Sequence, residues 1–254
     1  MSVLGIDIGG TGIKGALVET TTGQLATERY RLLTPQPAIP EAVAETVAQV
    51  IEHFEWQGPI GCGFPAVIKK GVVYTAANIS EEWIGTNGER ILSQATGCDV
   101  LMINDADAAG IAEMRFGEGQ NHHGVVLIVT LGTGIGTSIF IDGTLFPNTE
   151  LGHIELKGKD AEKRVAESVR KKKDLSWKKW GKRVGKYLRA MEKLLCPDLI
   201  IVGGGASKKS HKFFPYLKTT THVVPAQMRN EAGIIGAALA AAARFSAAEP
   251  TPQE

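Results

Sequence analysis

The chain has 254 residues, 43% of them hydrophobic, and its 28 Lys and Arg against 27 Asp and Glu leave a formal net charge of +1. That apolar content can bury one large core or two smaller ones, and the charge balance excludes a bulk attraction to nucleic acid or to an acidic surface. No apolar run reaches membrane-spanning length and the first residues form neither a basic leader nor a cleavable apolar segment, so the expected location is cytoplasmic, with no membrane partner.

Alternating and short continuous apolar runs predict strands over 3–8 and 13–18, a strand over 25–33, a helix over 40–54, and strands over 60–64 and 100–103. An Ala-rich helix is expected over 105–116. Strands over 125–131 and 136–141, a short strand near Leu145, a helical region, a strand over 199–202 and a helix over 234–245 follow. The order strand, glycine turn, strand, strand, helix, strand thus occurs twice. The fold class expected is α/β, two similar domains around a cleft, which fits the actin-like, ribonuclease-H-like kinase fold. The first domain is expected to hold residues 1–105 and 231–254, its last helix packing back through Gly233 and Gly236, and the second residues 106–230. Residues 247–254, with two prolines, are expected to fray. The three cysteines, Cys62, Cys98 and Cys196, lie in apolar runs without a Cys-x-x-Cys pair and read as buried reduced thiols.

The two glycine turns, Gly9-Gly10-Thr11-Gly12 and Gly132-Thr133-Gly134, carry the first chemical signal. In each, glycines permit positive φ and close backbone approach, and amide N–H groups point into the turn. One such hairpin commonly just turns the chain. Here Thr11, Thr133 and Thr137 add hydroxyls, Lys14 a point charge, and Asp7 a carboxylate able to hold a hydrated Mg²⁺, so the pair reads as phosphate-binding. A strand rather than a helix follows each turn, which excludes a P-loop and a dinucleotide fingerprint.

Between the turns, the strand at 100–103 ends in Asn104-Asp105-Ala-Asp107. Helix capping accounts for one of these acids, and Asp107 is expected to be the cap. Beside two phosphate turns, Asp105 is then placed to take a proton from an attacking hydroxyl. After the second turn, Glu150 and His153 stand three apart, with Glu155 two further on. Such acceptors and a donor suit sugar hydroxyls, and equally suit a polar surface loop; their position after a phosphate turn favours the site.

The first turn, Asn104-Asp105, the turn after Leu131 and Glu150-Leu-Gly-His153 together resemble the ROK family of sugar kinases. The segments Gly63-Phe-Pro-Ala-Val-Ile-Lys-Lys-Gly71, Ala77-Asn-Ile79, Trp83-Ile-Gly-Thr-Asn87 and Glu150 to Glu162 are similar to those of its actinobacterial polyphosphate glucokinases and polyphosphate/ATP glucomannokinases. The resemblance runs from about Val3 to about Leu239. It implies Asp105 as the base on the 6-hydroxyl of glucose and Asn104, Asn78, Glu150 and His153 on other hydroxyls, with Glu162 and Glu155 as rivals for a further sugar contact. It also implies a phosphate path lined by Asp7, Gly9, Gly10, Thr11, Lys14, Gly132, Thr133 and Gly134, and a homodimer. Many ROK members follow the Glu-x-Gly-His segment with a cysteine cluster that binds zinc. Residues 157–170 contain no cysteine, so zinc is not expected. ROK repressors carry a DNA-binding segment ahead of the kinase-like part, whereas this chain starts at the first hairpin strand; the repressor reading is set aside.

Residues 163–193 hold thirteen Lys and Arg against three acids. Trp177, Trp180, Val184, Leu188, Met191 and Leu195 recur there at helical spacing, so the cations fall on the exposed face. A solvated amphipathic helix has this pattern; so has a track for a polyanion, and inorganic polyphosphate needs no base pocket. Nucleic acid is not expected, because the Trp residues belong to the buried stripe. ATP remains an alternative donor through 199–207, a strand running into a glycine turn that Ser207 is expected to cap.

Overall fold

The computed structural model describes residues 1–246; the segment 247–254 expected to fray lies outside the described residues. The chain forms two compact units, Met1–Ala112 with the segment from Glu231, and Glu113–Asn230.

In the first unit the strands are β1 (Ser2–Gly9), β2 (Gly12–Glu19), β3 (Gln24–Leu25), β4 (Tyr30–Leu32), β5 (Ile60–Phe64), the short pair β6 (Ile68–Lys69) and β7 (Val72–Val73), and β8 (Val100–Asn104). The main sheet runs β3-β2-β1-β5-β8, with β4 also on β2. β1 and β2 are an antiparallel hairpin, while β1, β5 and β8 are parallel. The predicted strand over 25–33 is two strands, because Thr27 Oγ1 accepts the Leu17 N–H at 3.1 Å and a side chain replaces a ladder partner. Every residue of β5 is buried, as a strand covered on both faces requires. Helices α1 (Pro40–His53), α2 (Gly88–Thr96) and α3 (Asp105–Phe116) complete this part. α2 has little apolar signal, since only Gly88 and Leu92 are buried; Asn87 Oδ1 caps it by accepting the Arg90 N–H at 2.9 Å.

The second unit contains β9 (Val125–Leu131), β10 (Ile135–Ile141), β11 (Thr144–Phe146), α4 (Glu162–Val165), α5 (Glu167–Lys172), α6 (Trp177–Leu195), β12 (Leu199–Gly203) and β13 (His222–Pro225). Its sheet runs β11-β10-β9-β12-β13, hairpin first and parallel strands after, the same order as in the first unit. The repeated sequence pattern is therefore a repeated topology. In α6 the stripe Trp180, Val184, Tyr187, Leu188 and Met191 is buried against Phe213 and Leu217, and the Trp180 indole donates to Val165 O at 2.8 Å. β12 enters a 3₁₀ segment whose cap is Gly204, at φ 76° and ψ −177°, where a Cβ would meet Leu131. Ser207, expected as the cap, instead donates its hydroxyl to Gly204 O at 2.8 Å.

The last helix, α7 (Ala232–Ser246), belongs to the first unit. A Cβ on Gly5 would lie 2.1 Å from Ile234 O, and one on Gly61 1.9 Å from Ala237 O, so the helix backbone rests directly on β1 and β5. Of the three cysteines only Cys62 is fully buried, and burial pushes its thiol far up; Cys98 is half-buried and Cys196 is exposed at the left-handed end of α6. The expectation of three buried thiols is corrected accordingly. Among the described residues no helix is long and apolar enough to cross a membrane.

Candidate active site

The β1–β2 turn places Gly9 opposite Gly12, with Gly10 and Thr11 at its tip. None of the glycines in this turn or in the second adopts a left-handed φ, contrary to the expectation from sequence. Close approach is what they supply: a Cβ on Gly10 would lie 2.7 Å from Asn78 O, and one on Gly12 2.6 Å from Arg31 Nε. Arg31 Nη2 donates to Thr11 O at 3.1 Å, and the Thr34 hydroxyl donates to Gly9 O, so the carbonyl side of the turn is pinned. Asn78 and Thr11 are exposed.

Asp7 faces Lys14 directly across the hairpin, and Lys14 faces Arg31 on β4, which puts all three on one face of the sheet. Lys14 Nζ donates to Asp7 Oδ2 at 3.0 Å, both side chains being partly exposed. The Asp7 carboxyl also lies over Gly233 in the first turn of α7, whose dipole favours an anion there. Sequence reasoning missed Arg31, which reaches the turn only through the β2–β4 pairing.

At the end of β8, Asn104 is the cap of α3. Its Oδ1 accepts the Ala106 and Asp107 N–H groups at 2.9 and 3.1 Å, and its Nδ2 donates to Ala66 O at 3.1 Å. The expected cap, Asp107, is instead a buried acid inside the first turn. Asn104 is itself buried and keeps one N–H beyond these bonds. Asp105, next in the chain, begins the helix and is half-buried.

In the second unit the turn Gly132-Thr133-Gly134 is fastened from two sides. Glu162 Oε2 accepts the Ile135 N–H at 2.8 Å, and Ser168 donates its hydroxyl to Thr133 O at 2.6 Å and its N–H to Gly132 O at 3.1 Å. Thr133 is exposed, whereas Thr137 is buried and exchanges hydrogen bonds with Thr149, so its hydroxyl braces the loop before Glu150. A Cβ on Gly152 would lie 2.5 Å from Ile135 O, so the glycine of Glu150-Leu-Gly-His153 is what lets that segment rest against the turn.

Glu150, His153 and Glu162 are consequently close to the same turn. His153 stands between two carboxylates, Nε2 3.7 Å from Glu150 and Nδ1 3.7 Å from Asp160. Glu150 keeps 40% of its side chain exposed, and partial desolvation by its neighbours still raises its carboxyl above the ordinary value; His153 opposes the shift and Glu162 adds to it. Asp160, which sequence reasoning passed over, is brought there by a hairpin with Lys157 and Gly158 both at positive φ, the geometry of a type I′ turn. Glu155 sits across from Asp160 on that hairpin and is exposed; of the two rival glutamates, Glu162 is the one that touches the turn.

The ROK family model matches residues 3–164. A polyphosphate glucokinase of Mycobacterium tuberculosis is 52% identical over 240 residues, 94% of this chain and 91% of the relative, and one of Mycobacterium leprae is 49% identical over 94% and 74%. The inorganic polyphosphate/ATP-glucomannokinase of Arthrobacter sp. strain KM superposes with a TM-score of 0.92 at 46% identity, covering 96% of this chain and 99% of that one. A ROK glucokinase of Streptomyces griseus, 23% identical with a TM-score of 0.81, shares the fold. The repeated hairpin-plus-parallel-strand topology, the two fastened turns and the family match agree: this chain belongs to the ROK family.

Proposed function

We propose that this protein is a sugar kinase that transfers the terminal phosphoryl group of inorganic polyphosphate, with ATP as an alternative donor, to the 6-hydroxyl of glucose. The observation that carries this is the match to polyphosphate glucokinases along 94% of the chain. Asp105 takes the hydroxyl proton as the sugar oxygen attacks phosphorus; the bond from that phosphorus to the bridging oxygen breaks, and the donor leaves one phosphate shorter. Asn104, Asn78, Glu150, His153 and Glu162 hold the other hydroxyls, with Asp160 orienting the His153 ring. The two glycine turns, Thr11, Thr133 and Lys14 hold phosphate oxygens, so the protein contributes mainly position and charge.

Asp7 suits Mg²⁺. That ion needs only one or two carboxylates and takes its remaining ligands from phosphate and water, and Asp7 is a partly exposed carboxylate beside the first turn. Bound there through water, the ion would neutralise donor charge. The same reading carries a cytoplasmic homodimer with no nucleic-acid or membrane partner, and sedimentation gives the subunit number directly.

Initial rates with purified long-chain polyphosphate and with ATP, at saturating glucose, test the donor. A rate with ATP and none with polyphosphate would leave an ATP-only hexose kinase in its place. Phosphate release without sugar would replace both with a hydrolase.

A further inference from the structure

The basic segment of the second unit is not uniformly charged on its surface. On α5, Arg170 and Lys171 both pair with Glu167, at 3.7 and 3.2 Å. A different group of cations lines a cavity of about 470 Å³, within the range of small-ligand pockets of about 300–1,000 Å³. Lys159 and Asp160 come from the hairpin arm, Lys163 and Arg164 from α4, Lys173 from the end of α5, and Arg183 from α6. Among the described residues, Lys163 is the only one of these five cations at ion-pair distance from a carboxylate, 3.5 Å from Asp160.

Four cations without a counter-charge around one concavity repel each other and concentrate anions there. Arg164 and Arg183 are half-buried, and Arg183 Nη1 donates to the backbone oxygen of Arg164 at 3.4 Å, so the Arg183 guanidinium is held across the α4–α6 packing. A planar guanidinium held this way suits paired phosphate oxygens. No aromatic side chain lines the cavity, and Trp177 and Trp180 are engaged with Phe213, so nothing there stacks a nucleobase.

The cavity is joined to the site by one short helix. Glu162 of α4 accepts the Ile135 N–H at the second glycine turn, and its neighbours Lys163 and Arg164 line the cavity. Asp160, on the cavity wall, also faces His153.

We infer that this cavity is a further subsite for the donor, binding phosphate units of a long polyphosphate chain behind the one being transferred. The inference rests on the polyphosphate reading above and adds a chain-length preference to it: a chain long enough to run from the transfer site into the cavity gains contacts that tripolyphosphate makes fewer of.

The test is steady-state kinetics on the full chain with long-chain polyphosphate and with tripolyphosphate, for wild type and a Lys159→Ala/Lys173→Ala variant. Both lysines are exposed, so the core is untouched. The expected result is a KM for the long chain raised by about tenfold or more, with kcat nearly constant and the tripolyphosphate constants within about twofold. Arg183→Ala should act likewise and Arg183→Lys should restore most of the effect. An unchanged long-chain KM overturns the subsite, as does an equal loss with both donors, which marks a structural role. If a single-stranded oligonucleotide loses affinity in the variants while long-chain kinetics stay the same, the cavity serves another polyanion and the inference also fails. A wild type that turns over ATP but no polyphosphate defeats the donor reading itself, a result distinct from all of these.

Discussion

Lys14 Nζ lies 3.0 Å from Asp7 Oδ2, across a hairpin whose register sets the two residues directly opposite. The pair is partly exposed, so as an ion pair it contributes at most about 1 kcal/mol to stability. Its value is in placing one carboxylate and one ammonium beside the first glycine turn. Asp7→Asn is therefore expected to move the melting midpoint by only about 2–4 °C while lowering turnover by about 100-fold or more. A Mg²⁺ titration of the initial rate should show the half-saturating concentration raised. Wild-type turnover with an unchanged Mg²⁺ requirement would remove Asp7 from metal binding.

Asp105 and Asn104 are adjacent but should separate cleanly. Asp105→Asn keeps the shape of the helix start and removes the base, so kcat should fall by about 10²–10⁴ with glucose binding, measured by calorimetry, largely intact. Asn104→Ala removes the acceptor for two helix N–H groups and the donor to Ala66 O, and is expected to destabilise the fold by about 1–3 kcal/mol. Asn104→Asp retains the cap oxygen and should recover part of that stability. If both Asn104 variants melt like wild type, the capping role is wrong.

Much of this was legible in the chain itself. The β1–β2 and β9–β10 hairpins follow from apolar runs broken by glycine, and the repeated topology from their repeated order. The cap of α3 was misassigned because Asn104 and Asp107 are both good capping residue types, and only the backbone geometry decides which oxygen reaches the free N–H groups. Thr137 was misread for a similar reason: strand alternation says that it points to one face, but not that Thr149 waits there. Asp160 and Arg31 were invisible because each reaches its partner through a strand pairing or hairpin that one-dimensional spacing does not encode. The counter-ions that distinguish Arg170 and Lys171 from Lys173 and Arg183 were equally hidden in a segment that reads as one block of charge.

Glu150 makes a pH-dependent prediction. Partial desolvation, the largest cause, holds its carboxyl above the ordinary glutamate value of about 4.3 even though 40% of the side chain is exposed, with His153 opposing and Glu162 reinforcing. As pH falls, Glu150 gains its proton earlier than an exposed glutamate and loses its capacity as a charged acceptor for a sugar hydroxyl. The KM for glucose should therefore rise on the acid side with an inflection above about 4.3, and Glu150→Gln should abolish that inflection. Stability runs the other way. Because the native value is raised, the contribution of this group to folding is fully present below its unfolded value and is lost as pH rises through the native one. Melting curves of wild type and Glu150→Gln should converge at low pH and part only slightly above it, because solvent screens a side chain that is 40% exposed.

Glu162 and Glu155 give the last prediction, because the two glutamates have opposite surroundings. Glu162 holds the Ile135 N–H at 2.8 Å, and a Cβ added at Gly134 would lie 2.2 Å from its Oε2, so the carboxylate fills the space under the second turn. Removing it in Glu162→Ala leaves a turn N–H without its acceptor and frees the phosphate-binding backbone to move. The expected result is a raised KM for both glucose and donor together with a lower kcat, by at least about tenfold in kcat/KM for each substrate. Glu162→Gln keeps one side-chain oxygen and should retain more of the donor affinity than Ala does. Glu155 is exposed on the hairpin arm, and Glu155→Gln should stay within about twofold of wild type for both substrates. A large rise in glucose KM for Glu155→Gln, with Glu162→Ala near wild type, would reverse the assignment of the two residues.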